Sequence, residues 1–222
     1  MASPATLEIR DLAVAAGGRG LLEGLAFALP AGEGLALSGP SGCGKSTLLR
    51  AVAGLDDPRR GELRLAGRPP EDWGWPLYRR RVLMLMQKPV FLEASPEENL
   101  RLPFSFRNAP GPYPAERADR LVERLGLSDA FAGGDARRLS QGEQQRLALI
   151  RALLLEPDAI LLDEPSSSLD PESTTLIEGL LHEEREARGL ALLLVSHEAA
   201  QPARLGLPVM DLRAHRPREA RP

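Results

Sequence analysis

Gly39-Pro40-Ser41-Gly42-Cys43-Gly44-Lys45-Ser46 carries the spacing G-x-x-x-x-G-K-[ST] between a short apolar run and a helical pattern, the context in which that spacing cradles phosphate. Glycines let successive backbone N–H groups turn toward a polyphosphate, and the start of the following helix adds partial positive charge. Lys45 is then the cation for the β and γ phosphates, and the Ser46 hydroxyl is a ligand for Mg²⁺. Cys43 reads as a small loop residue rather than a redox switch. Farther on, Ala159-Ile160-Leu161-Leu162 ends in two adjacent acids, Asp163 and Glu164. Charge at the end of such an apolar strand points to a ligand crevice at the carboxyl edge of a sheet. Asp163 suits Mg²⁺, directly or through a water, and Glu164 suits polarisation of an attacking water.

A second anion-binding pattern lies at Leu139-Ser140-Gln141-Gly142-Glu143-Gln144-Gln145-Arg146. Ser140 and Gly142 stand at the start of a strongly helical stretch, where free N–H groups face outward. The same letters also read as a Ser-capped helix supported by Glu143 three residues on, so both readings stand at this point.

These residues need a frame that holds them at one edge. Strands are expected at 7–12, 23–29, 35–38, 62–66, 82–87, 159–163 and 190–196, and helices at 45–53, 114–125, 142–155 and 172–188. Short apolar runs alternating with helical patterns make an α/β sandwich with parallel strands. The strand signal disappears from 88 to 140, which reads as an inserted helical subdomain within a single domain of 1–222. Residues 109–114 (A-P-G-P-Y-P) form a loop by their prolines, and 213–222 read as a frayed, Pro-rich tail.

The chain of 222 residues supports one sizeable core. Its formal net charge of -3 provides no overall positive field for a nucleic-acid backbone, so nucleic acid is not an expected partner. The single cysteine forms no internal disulfide, in keeping with a reducing compartment. No apolar run approaches the roughly 20 residues needed to cross a bilayer, and the first residues lack a signal-peptide pattern. Any membrane role is expected through a partner.

With the phosphate loop upstream, L-S-Q-G-E at Leu139–Glu143 resembles the signature motif of ABC ATPases, and the other motifs of that family follow in order. Gln87 resembles the Q-loop glutamine, Ser168-Leu169-Asp170 the D-loop, and His197 after Ser196 the switch histidine. The resemblance runs from about Leu7 to His197. It implies a P-loop NTPase fold: a RecA-like mixed sheet, an antiparallel β subdomain and the inserted helices. It implies an ATPase using ATP and Mg²⁺, with Glu164, His197, Lys45 and Gln87 in catalysis and Ser46, Gln87 and Asp163 toward the metal. Gly39 to Thr47 would bind nucleotide within one chain, and Ser140, Gln141, Gly142, Glu143 and Asp170 across the interface of a dimer of identical chains. The implied partner is a multi-span permease, and the implied location is the cytoplasmic face of the inner membrane. The alternative is a non-transport ABC ATPase acting on DNA or ribosomes. His182, His215, Trp73 and Trp75 receive no role.

The sequence departs from the family pattern at three places. Gln141 and Glu143 stand where glycine and glutamine are commonest, and the place of an adenine-stacking aromatic falls at Ala15 or Ala16. Residues 39–49, 99–104 and 106–108 also resemble the ATPase subunits of Fet-type exporters linked to iron efflux. Lipoprotein-release, antimicrobial-peptide and amino-acid transporters are the competing subfamilies.

Overall fold

The computed structural model describes residues 5–131, 134–166 and 169–217. Its strands are β1 (Ala5–Ala16), β2 (Arg19–Pro30), β3 (Gly34–Ser38), β4 (Arg60–Leu65), β5 (Val82–Leu85), β6 (Ala159–Asp163), β7 (Ala191–Val195) and β8 (Val209–Asp211). Its α-helices are α1 (Lys45–Val52), α2 (Pro70–Trp73), α3 (Trp75–Arg81), α4 (Pro96–Arg101), α5 (Ala115–Arg124), α6 (Ser128–Phe131), α7 (Gln141–Leu154), α8 (Pro171–Arg188) and α9 (Gln201–Arg204).

Two sheets result. β2-β1-β4 is antiparallel, and β5-β6-β7-β3-β8 is parallel throughout. The expected P-loop architecture with its antiparallel β subdomain is present, and the larger sheet is parallel throughout. The cause is legible in β6 and β7, where every residue is buried: strands covered on both faces read as continuous apolar runs.

The faces of the parallel sheet separate two cores. Ala36, Ile160, Leu162, Leu192 and Leu194 meet Leu147, Ile150, Leu153 of α7 and Ile177, Leu180, Leu181 of α8. Leu37, Leu161, Leu193 and Val195 face the other way, toward Leu48, Leu49 and Val52 of α1 and the antiparallel sheet. α1 and α7, whose first turns carry the two anion-binding patterns, therefore pack on opposite faces.

Several elements differ from the expectation. β5 stops at Leu85, so Gln87 lies in the bend beyond the strand rather than at its end. Residues 70–81 fold as α2 and α3, a stretch whose Pro and Trp content hid its helical period. Trp73 donates from Nε1 to the Leu65 carbonyl at 3.2 Å, and Tyr78 donates to the Val52 carbonyl at 2.8 Å. Burial raises the Tyr78 pKa, so its phenol stays protonated. β8 is too short to show alternation, and it adds to the free edge of β3. Between 88 and 140, the described residues form α4, α5, α6 and 3₁₀ turns with no strand. Residues 212–215 close as a 3₁₀ turn with Leu212 fully buried, and 218–222 lie outside the described residues.

Leu161, fully buried against α1, sits at the centre of this arrangement. Leu161→Ala is expected to destabilise the fold by about 2–5 kcal/mol, read as a lowered urea midpoint at unchanged slope.

Candidate nucleotide-hydrolysis site

In-register pairing brings the chemistry to one edge. Leu37 pairs with Val195, Val195 with Asp163, and Leu85 with Leu162. The loops after β3, β5, β6 and β7 therefore all leave the sheet on the same side, as the crevice rule for parallel sheets requires.

The loop after β3 is built to accept an anion. Gly44 is in the left-handed region at φ 107, and a side chain there would come within 3.0 Å of Leu21 Cβ, so the turn and the close packing both require glycine. α1 has no side-chain cap and no acid in its first turn, which leaves its first N–H groups available. By contrast α4, α7 and α8 are capped by Ser95, Ser140 and Asp170. Lys45 is 7% exposed, and its ammonium donates to the carbonyls of Gly39 at 2.8 Å and Pro40 at 3.1 Å. The cation is thus tethered over the loop by two backbone carbonyls. Ser41, Gly42 and Ser46 are exposed and Pro40 is at the surface, whereas Cys43 is buried, its Sγ lying 2.8 Å from where a Gly39 side chain would begin. That contact makes Cys43 a packing residue of the loop.

Glu164 is the point of convergence. Its N–H still pairs with the Val195 carbonyl at 2.9 Å, while its φ of 55 turns the chain into the left-handed region, a strained conformation for a residue with a side chain and one that concentrates at functional sites. One carboxylate oxygen meets His197 Nε2 at 2.7 Å, and the other accepts from Gln87 Nε2 at 3.0 Å. Each oxygen keeps a second lone-pair direction, so a clamped Glu164 can still take a proton from a water. The carboxylate of Asp163, buried at the end of β6, has no hydrogen-bond partner among the described residues, and its hard oxygens fit Mg²⁺ together with the Ser46 hydroxyl. Magnesium is commonly held by one or two carboxylates plus substrate phosphates. Among the described residues no group of three or more His, Cys, Asp or Glu could hold a metal by itself.

The second pattern has the capped-helix geometry of one of its two sequence readings. Ser140 caps α7 and forms a reciprocal box with Glu143: the Ser140 N–H and hydroxyl donate to the Glu143 carboxylate at 2.8 and 2.6 Å, and the Glu143 N–H donates back at 3.3 Å. These hydrogen bonds hold the Glu143 carboxyl below its usual pKa. Glu143 therefore has a local reason where glutamine is commoner. Ser140 and Gln141 are exposed, and the N–H groups of Gln141 and Gly142 are the first-turn donors that the box leaves over.

Three connections escaped the sequence reading. A side chain at Gly142 would come 3.3 Å from Leu169 Cδ2, so the start of α7 rests on the segment after Glu164. Asp170 spends both carboxylate oxygens on Ser173, at 2.8 and 2.7 Å, and Ser173 in turn meets Arg146. Asp170 is thus the cap of α8, and Ser168 of the expected D-loop lies outside the described residues. Gln201, 1% exposed, accepts from Ser166 at 3.2 Å and donates to Glu178 at 3.0 Å. No pattern in its Pro- and Ala-rich surroundings marked it.

Residues 22–167 match the family described as ABC transporter. The chain belongs to that family. It is an ATP-binding subunit of the ABC type and an ATPase. It is 36% identical over 192 residues to the "Probable iron export ATP-binding protein FetA" of Escherichia coli K12, covering 86% of this chain and 84% of FetA. It is 37% identical to the methionine import ATP-binding protein MetN of Brucella abortus, of which it spans 53%. It is 36% identical to the Fe(3+) ions import ATP-binding protein FbpC 1 of Rhodococcus jostii, of which it spans 60%. Among solved structures, the dimeric post-hydrolysis state of the cassette MJ0796 bound to ADP and Pi superposes with a TM-score of 0.80 at 29% identity, over 93% of this chain and 94% of that one. CbiO1 of Clostridium perfringens, part of the cbiONQ complex, superposes at 0.75 and 25% identity, over 88% and 80% of the two chains.

The capping box in this ABC ATPase sets a pH dependence. A carboxyl with a lowered folded pKa stabilises the fold above its unfolded pKa, and that contribution is lost as pH falls through the folded pKa. Glu143→Gln retains a residue suited to the box and is expected to remove the part of the stability loss that begins near the ordinary value of 4.5. Urea unfolding of both proteins at pH 7 and at acid pH reads the difference.

Proposed function

We propose that two copies of this chain enclose two ATP molecules, each held between the phosphate loop of one copy and the start of α7 of the other, and that the pair drives a separate multi-span permease. The observation that carries this reading is the clamp on Glu164 by Gln87 and His197, at the sheet edge where the loop 39–46 also emerges. The dimer is supported by the exposed Ser140 and Gln141 on an element packed against the face opposite α1, and by the dimeric MJ0796 neighbour. A closed C₂ pair is the simplest arrangement that gives every exposed signature end a nucleotide.

Hydrolysis follows from the placed groups. Lys45 and the N–H groups of α1 hold the β and γ phosphates. Glu164 takes a proton from the water that attacks the γ-phosphorus, the bond to the bridging oxygen breaks, and ADP and phosphate result. His197 and Gln87 keep the Glu164 carboxylate in position. Ser46 and Asp163, with Gln87, would hold Mg²⁺, which would supply charge neutralisation at the phosphates.

The permease reading has a surface to support it. Met86 and Val90, 41 and 68% exposed, line a groove that continues over Leu83, Pro89 and Ala152, and Leu92, two residues on, is 54% exposed. Below it, the fully buried Asn99 accepts from the Leu92 N–H at 2.9 Å and donates to the Ser95 carbonyl at 3.0 Å, which fixes the loop's shape. No helix among the described residues is long and apolar enough to cross a membrane, in keeping with attachment through such a groove at the cytoplasmic face.

Glu164→Gln is expected to lower ATP hydrolysis by about 10² to 10⁴ while nucleotide binding persists. It also removes a negative charge close to the γ-phosphate, so the variant should sediment as a dimer with ATP and Mg²⁺ and as a monomer without them. Brisk hydrolysis would remove Glu164 from this role, and a monomer at saturating ATP would count against the shared sites.

For cargo we infer metal efflux, on the FetA likeness across most of both chains. Cells lacking this chain should accumulate more iron under iron load, measured as total cell metal. Reduced uptake of iron or methionine would instead place it with the import relatives.

A further inference from the structure

We propose that Arg19 holds the purine base of the bound nucleotide by laying its guanidinium on the ring, where Ala16 offers no aromatic face. The inference deepens the nucleotide reading above and rests on it.

Topology gives the direction of the nucleotide. The phosphate loop follows β3, and Glu164 ends β6, with β7 between them. The γ-phosphate therefore points across β7 toward β6, and the nucleoside lies on the other side of β3, toward β8. Two elements wall that side. The 3₁₀ turn after β8 brings Leu212 Cβ to 3.5 Å from where a Gly39 side chain would begin. The β1–β2 hairpin rests Leu21 and Leu22 on Gly44, at 3.0 and 3.4 Å from the same kind of point. The two walls meet where His215 Nδ1 approaches the Glu23 carbonyl at 3.3 Å and Pro217 packs beside Gly20.

The hairpin tip supplies the residue. Gly17 and Gly18, at φ 56 and 79, form the two-residue turn, a geometry that matches the strand twist. It sets Ala16 directly opposite Arg19, and directly opposed residues of an antiparallel pair share a face. Val14, two residues before Ala16 on β1, is buried in the same core as Cys43, Leu48 and Leu49, and the register shift between Val14 and Ala15 falls where β2 has Leu21 as an extra residue, with Leu21 and Leu22 both against Gly44. Ala16 and Arg19 thus project on the face that looks toward the phosphate loop. An alanine methyl cannot cover a base, and the one aromatic of β2, Phe27, pairs with Ile9 far from the tip. Arg19 is exposed, and no hydrogen bond or ion pair engages its side chain among the described residues. A planar, delocalised cation stacks on aromatic faces. Contact with the ring face, rather than its edge, treats adenine and guanine alike.

The test is titration of the full chain, with Mg²⁺, by ADP and separately by inorganic tripolyphosphate. Arg19→Ala is expected to weaken ADP binding about fivefold and to leave tripolyphosphate affinity unchanged. Arg19→Lys keeps the charge but loses the plane, so it should resemble Arg19→Ala. Adding Ala16→Tyr to Arg19→Ala should restore ADP affinity. Equal weakening of both ligands would make Arg19 a phosphate contact and overturn the proposal, as would unchanged ADP binding in Arg19→Ala or full replacement by lysine. A folded wild-type chain that bound neither ligand would instead fail the nucleotide reading itself, and the proposal with it.

Discussion

The site depends on the level register of β3, β7 and β6. Leu37, Val195 and Asp163 lie in one row across three parallel strands, and each strand then releases a loop carrying a different part of the chemistry. Slipping one strand by a residue would turn its buried set to the opposite face, which neither core could tolerate, because Leu161, Leu193 and Val195 serve one core while Leu162, Leu192 and Leu194 serve the other. Close packing of two apolar faces thus doubles as the positioning device for Lys45, Asp163, Glu164 and His197.

The same sheet supports the proposal that the starts of α1 and α7 in one chain serve different nucleotides. α1 and α7 start from opposite faces, and their first turns differ in chemistry as well. The first turn of α1 carries no cap and no acid. That of α7 is already held by its Ser140–Glu143 box, which makes it a preformed end able to offer a few remaining donors without the helix unravelling.

Contacts between the start of α7 and the segment after Glu164 join hydrolysis to the proposed interface. Gly142 rests on Leu169, Arg146 reaches Ser173, and Ser173 holds Asp170. On the other side, buried Gln201 ties Ser166 to Glu178, and Arg204 braces Glu178 with hydrogen bonds of 2.8 Å. A displacement of α7 would therefore be felt by the segment that follows Glu164. Buried polar links of this kind have few alternative arrangements.

By itself the sequence determined the phosphate loop, the paired acids and the capped start of α7, because each is a run of neighbouring residues whose chemistry depends on local spacing. The apolar runs of β6, as far as Leu162, and of β7 were equally legible, since burial on both faces leaves a continuous hydrophobic run. Tertiary structure alone decided that Gln87 and His197 take the two oxygens of Glu164, for they are separated from it in sequence by 77 residues in one case and by a whole helix and strand in the other. It also decided the short elements α2, α3 and β8, whose few residues show no period, and the buried role of Gln201, whose partners come from α8 and from the loop after β6. The opposition of Arg19 and Ala16 across a glycine turn belongs to the same class: pairing register is a property of two strands together, and one strand's letters do not state it.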